Sequence, residues 1–193
     1  KQLRQLITSL GMTAVFVTHD QEEAFALSDR IALLSKGVCQ QVGTAHDLYR
    51  SPVNEFVARF IGKSNILSLP FKGYGKDCLF FSLPSGNELR VPNNRNLRLR
   101  PGEIYRLLLR PEAIEFEQSP VNTRLFEAKI RSEHFAGAFS EYELEGEGLN
   151  LLARQPSLPQ TKTFRVGENL EVHASPKAIY FFPSGPEAKR EPH

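Results

Sequence analysis

A chain of 193 residues is long enough for one large domain or two small ones with real cores. Its 24 basic and 22 acidic residues nearly cancel, which excludes a global pull toward nucleic acid or anionic lipid. Cys39 and Cys78 stand far apart in no metal-ligand spacing, so the expected compartment is a reducing cytosol, and no apolar run reaches the length of a membrane span.

The chain begins at Lys1 inside an amphipathic pattern, so a piece of a longer protein is expected. Leu3, Leu6, Ile7 and Leu10 recur at helical spacing, and Gly11 ends that element. Thr13 to Thr18 is a short apolar run rich in β-branched residues, as a strand buried on both faces requires. Asp20 can cap the next helix, with Glu23 reaching back in a capping-box arrangement. Ile31 to Ser35 and Val38 to Val42 flank Lys36-Gly37, the pattern of a two-residue hairpin turn. Ser51-Pro52 opens a helix that carries Val53, Phe56, Val57, Phe60 and Ile61 on one face and closes at Gly62.

From Asn65 onward the texture becomes short alternating segments divided by Pro and Gly. Phe126, Ala128 and Ile130 face one way; Tyr142 and Leu144 alternate with glutamates; Leu170, Val172 and Ala174 repeat the pattern. Such strands predict a small barrel or sandwich, with Phe80 and Phe81 in its core. The boundary falls between Gly62 and Asn65, and the tail over 184–193 reads as disordered. Charge parity predicts an antiparallel hairpin of roughly residues 124–135 with 138–145, bent at Ala136-Gly137-Ala138. Its outer face sets Lys129 and Arg131 opposite Glu141, Glu143 and Glu145.

His19 is the residue whose chemistry is most open. A lone histidine at a strand end is often a hydrogen-bonded structural group. The carboxyl end of a strand in an open α/β sheet is also where ligands bind, and an imidazole before a helix could donate to a phosphate oxygen. No phosphate cradle accompanies it. Gly62-Lys63-Ser64 copies the end of a P-loop, but the motif needs glycine where Val57 stands, and Ala58 to Ile61 continue a helix. Asp20 is separated from the apolar run by Thr18 and His19, so no magnesium-carboxylate strand is evident either.

The segment "TAVFVTHDQEEAFALSDRIALLSKGVCQQVGTAHDLYRSPVNEFVARFIG" closely resembles the end of the ATPase subunit of an ABC importer. The resemblance covers residues 1–62 through the V-T-H-D, D-Q-E-E-A, S-D-R-I, K-G and Q-V-G-T elements in order. It implies the C-terminal part of an α/β nucleotide-binding domain, in which His19 is the switch histidine that contacts the γ-phosphate of ATP. The second half resembles the barrel-like TOBE (transport-associated OB) domain, a mostly antiparallel β-barrel, over "LLLRPEAI" and "VGENLEVHASPKAIYFF". On that reading residues 63–183 form a regulatory barrel, with Arg110 and Glu112 as regulatory candidates. ATP and Mg2+ serve the full-length subunit, and none is expected for this piece, because the P-loop, signature motif and magnesium-binding strand are absent from it. Implied partners are membrane-spanning permease subunits and a second copy of the ATPase subunit, at the inner face of the bacterial membrane. Membrane contact runs only through the permease, and no nucleic acid is expected. The solute class is open: ferric iron, polyamine, sulfate, molybdate, thiamine and maltose importers carry such tails.

From the residues alone, Arg110-Pro111-Glu112 reads as a turn between two strands sooner than as a ligand site, since Pro111 restricts Arg110 to extended geometry. His46, His134 and His173 share no ligand spacing, so structural or solvated roles are expected. The basic run Asn93 to Arg100 lacks interleaved aromatic platforms and reads as a solvated loop. Two other classes remain beside the importer ATPase: an oxyanion-sensing module and a nucleic-acid-binding OB domain. Titration with oxyanions and a salt-dependent oligonucleotide shift separate them.

Overall fold

The computed structural model describes residues 2–93, 96–160 and 162–182. The expected disordered tail, 184–193, lies outside the described residues. The chain divides into two compact units, residues 1–62 and 63–193.

In the first unit, α1 spans Gln2–Ser9. It ends in a Schellman motif: Gly11 N–H donates to Thr8 O at 3.2 Å and Met12 N–H to Ile7 O at 3.1 Å. That reversal needs a left-handed residue, and Gly11 supplies it at φ 60°. Residues 12–20 then run without helix or strand, so the strand expected over Thr13 to Thr18 does not form. Val15 is 90% and Val17 99% exposed. A buried parallel strand exists only between neighbours that accept its ladder bonds, and none among the described residues pairs with this run.

Helix α2 (Gln21–Leu27) follows, then a hairpin of β1 (Ile31–Ser35) and β2 (Val38–Gly43). Lys36 at φ 51° and Gly37 at φ 75° are both left-handed, as a type I′ turn demands. Helix α3 (Ala45–Arg50), absent from the sequence reading, is announced by a full capping box between Thr44 and Asp47. Helix α4 (Glu55–Ile61) begins three residues later than Ser51-Pro52 suggested. Asn54, rather than Ser51, caps it, accepting Val57 N–H at 2.9 Å. Gly62, at φ 175°, leaves the helix in extended geometry that any residue adopts, so it is not a left-handed cap. Leu33, Leu48, Val57 and Ile61 form the small core of this unit.

The second unit is all antiparallel β among its described ladders. Its strands are β3 (Asn65–Tyr74), β4 (Cys78–Ser82), β5 (Glu88–Pro92), β6 (Ile104–Leu109), β7 (Ile114–Glu115), β8 (Thr123–Phe135), β9 (Phe139–Gly146), β10 (Leu149–Pro156), β11 (Asn169–Ala174) and β12 (Tyr180–Phe181). They form two five-stranded sheets, ordered β10-β9-β8-β11-β7 and β12-β6-β3-β4-β5. Both sheets face one core, with Leu69, Phe71, Phe81 and Leu107 from one and Ile130, Leu144, Ala153 and Val172 from the other. Side chains close the gaps: Asn65 exchanges two bonds with the Leu152 backbone at 2.8 and 2.7 Å, and Gln155 Nε2 donates to Ile114 O at 2.5 Å. The result is a nearly closed barrel. Phe81 lies in its core, but Phe80 points the other way and is half-buried beside Gly75.

The charge-parity hairpin forms as β8 and β9, with Gly137 at φ 77° in the bend. Lys129 faces Glu145 and Ile130 faces Leu144. A bulge between Ile130 and Ser132 then shifts the register by one, so Glu133 rather than Ser132 follows Ile130 on the inner face. Arg131 stays outside, paired with Glu145. Glu143 is exposed as expected. Glu141 is not: it is 8% exposed, because Lys63 and Arg154 fold over it.

Candidate functional site

His19 is exposed and stands at the mouth of α2, held there by a short polar relay. Asp20 caps the helix, its carboxylate accepting Glu22 N–H at 2.8 Å and Glu23 N–H at 3.2 Å. Glu23 does not reach the Asp20 backbone as the capping-box reading supposed. The Asp20 N–H donates instead to the Thr18 hydroxyl at 3.0 Å, and that hydroxyl donates to Glu23 at 2.8 Å. Thr18 thus replaces the direct bond with a two-step one, which fixes the backbone on both sides of His19 while its ring remains free to meet a partner. Chemically this places an exposed imidazole on a pinned backbone at the start of a helix. Among the described residues no group of three His, Cys, Asp or Glu could hold a metal ion. The Gly62-Lys63-Ser64 look-alike is likewise structural: Lys63 Nζ pairs with Glu141 at 2.6 Å, and the Ser64 hydroxyl accepts from Arg110 at 2.6 Å.

Arg110 and Glu112 differ in burial. Arg110 is buried, with φ −72° and ψ 144°, the extended geometry that Pro111 imposes. Its guanidinium donates to Lys63 O at 3.2 Å as well as to Ser64, so it ties the start of β3 to the end of β6. Glu112 lies exposed in the one-turn 3-10 helix that follows.

Sequence reasoning missed Glu141. Its carboxylate receives Lys63 at 2.6 Å and Arg154 at 2.8 Å, while the Arg154 guanidinium stacks 4.1 Å over the Phe139 ring. The Lys63 and Arg154 hydrogen bonds hold its pKa below the ordinary 4.5, against the opposing effect of burial. No local pattern distinguishes Glu141 from Glu143; its partners come from 78 and 13 residues away. His173 is the one deeply buried histidine among those described, 2% exposed on β11, its Nε2 lying 3.3 Å from Glu171. His46 and His134 are exposed.

The second unit sets two antiparallel sheets around one core, with an Arg-Pro-Glu turn leading from β6 to β7, and residues 107–182 match the TOBE domain family. Across most of its length the chain is related to ATP-binding subunits of ABC importers. It is 33% identical to the spermidine/putrescine import ATP-binding protein PotA of Roseobacter denitrificans, over 89% of this chain and 47% of the relative. The protein of the same name from Lawsonia intracellularis is 36% identical over 86% and 42%, and that of Borreliella afzelii 34% over 93% and 48%. The chain thus spans about half the length of these relatives. A solved structure of the cytoplasmic molybdate-binding protein ModG aligns with a TM-score of 0.45 at 13% identity, covering 62% of this chain and 96% of that one.

Proposed function

We propose that this chain is the C-terminal portion of the energy-coupling, ATP-hydrolysing subunit of an ABC importer, and that the solute is an aliphatic polyamine. The observation that carries this is the continuous similarity to spermidine/putrescine import ATP-binding proteins through both units, up to 93% of the chain. A shared barrel alone would align only the second unit.

In this reading His19 is the switch histidine. It donates one hydrogen bond to the γ-phosphate of a nucleotide whose other contacts come from parts of the subunit outside these residues. The pinned backbone at Thr18 and Asp20 supports that role, because a donor aimed at developing charge is effective only if it need not reorganise. The partners are permease subunits and a second copy of the ATPase, the location is the cytoplasmic face of the membrane, and the TOBE domain is regulatory. The 193 residues by themselves turn over no ATP.

The test is reconstitution of the complete subunit with its permease in vesicles, measuring labelled spermidine and putrescine uptake beside ATP hydrolysis. His19→Ala lowers turnover by about a hundredfold or more while nucleotide binding changes little. Uptake that ignores both amines, or His19→Ala turnover equal to the parent's, refutes the respective half of the reading.

A further inference from the structure

The bulge in β8 has a consequence for the open end of the barrel. Without it, Ser132 and His134 would follow Ile130 on the inner face; with it, Glu133 and Phe135 do, opposite Tyr142 and Ser140 of β9. The inner face thus continues past the packed core as a rim, and it borders an open cavity of about 360 Å³, within the range of small-molecule sites. Gln155 to Pro159, Lys162 and Thr163 supply the other wall.

The lining carries two opposite charges on either side of an aromatic pair. Glu133 accepts a hydrogen bond from the buried Tyr142 phenol at 3.3 Å. Burial pushes that phenol above its ordinary pKa, so it stays a donor. Tyr142 packs edge-on against Phe164 with centroids 6.0 Å apart, and the Lys162 ammonium lies 4.9 Å over the far ring. The hydroxyls of Ser140 and Ser157, 3.2 Å apart, stand on the same cavity. Phe135 and Leu158 line the mouth at 67% and 56% exposure, apolar surface beside a polar floor.

A simple cation would meet Lys162, and an inorganic oxyanion would meet Glu133. A ligand bearing both charges satisfies both walls, and the exposed Phe135 and Leu158 provide for an apolar side chain. We propose that this cavity is a binding site for a small zwitterion with an apolar side chain, by chemical class an α-amino acid. Its ammonium pairs with Glu133, its carboxylate with Lys162 and the serine hydroxyls, and its side chain lies between Phe135 and Leu158. The site belongs to the second unit alone and is independent of the importer reading.

Calorimetric titration of the 193-residue chain with L-leucine and L-phenylalanine tests it, with leucinamide and 4-methylpentanoate as ligands lacking one charge each. Saturable binding of at least one amino acid is expected, weakened about tenfold or more by removing either charge from the ligand. Glu133→Gln and Lys162→Met each weaken it similarly while the thermal midpoint stays within a few degrees of the parent's, a control that separates lost contacts from lost fold. No saturation by either amino acid up to about 10 mM overturns the proposal. So does equal binding of the amide or the acid, or binding indifferent to both variants.

Discussion

Glu141 shows how one side chain can tie distant parts of the barrel. Its carboxylate joins Lys63, at the entry to the second unit, to Arg154 of β10, and the pair of cations holds it ionised. A carboxyl whose pKa is lower folded than unfolded contributes stability that is fully present above the unfolded value, near 4.5, and is lost as the pH falls through the folded value. Glu145, Glu147 and Glu171, each lowered first by side-chain hydrogen bonds, act in the same direction. Stability of the barrel therefore falls below a pH of about 4.5, and Glu141→Gln makes that acid limb shallower. At neutral pH the same variant costs about 1–3 kcal/mol in a denaturant titration, because two cations lose their shared acceptor. Two adjacent residues of β8 give the opposite contrast. Ile130 is fully buried, so Ile130→Asp places a charge in the core and abolishes cooperative unfolding; Lys129→Glu, on the exposed face, shifts stability by no more than about 0.5 kcal/mol. Near-equal effects of the two would show that the inner and outer faces have been misassigned.

At the scale of the element, the register of β9 against its neighbours is set where the strand ends. A Cβ on Gly146 would sit 2.2 Å from Glu127 O and 2.8 Å from Ala128 Cα, both backbone atoms of β8. Backbone of a central strand cannot give way without breaking its own ladder, so Gly146→Ala destabilises the barrel by about 2 kcal/mol or more, read as a lowered thermal midpoint. An unchanged midpoint would mean that β8 and β9 are farther apart there. Glu147 follows at φ 54° and links this turn to the one between β4 and β5, accepting from the Ser85 hydroxyl and from Asn87 Nδ2 at 2.8 Å. Two hairpin tips from different sheets are thereby joined by one carboxylate.

On the scale of the whole molecule, protection is uneven. The first unit has four buried hydrophobic residues in its core cluster, while the second has a core drawn from both sheets. Residues 13–18 make no ladder, and their valines stand in solvent. Amide exchange follows hydrogen bonding and burial, so Phe16 and Val17 exchange within about tenfold of unstructured rates, whereas Ile130, Leu144 and Val172 exchange only on global opening of the barrel. Mass-resolved hydrogen exchange on the intact chain checks this. Strong protection at Phe16 and Val17 would reveal a pairing partner that the described residues lack.

What the residues determined unaided was local. The Lys36-Gly37 turn, the left-handed exit at Gly11, the Asp20 cap and the inward set Phe126, Ala128 and Ile130 each depend on neighbours a few positions away, and backbone sterics or strand parity decide them. Helix α3 was equally local, written in Thr44 and Asp47, but its six residues are too short for a periodic pattern to stand out. His19 was legible as a residue before a helix; the role proposed for it rests on family resemblance, since no local rule names a phosphate partner. Tertiary structure decided the remainder. It left Thr13 to Thr18 unpaired, because a strand is defined by its neighbours rather than its own composition. It inserted the bulge that turns Glu133 and Phe135 inward, since ladder register is a property of two strands. It buried Glu141 beneath Lys63 and Arg154, whose approach depends on how the whole barrel closes. Alternation along one strand carries no information about which distant cation will reach it.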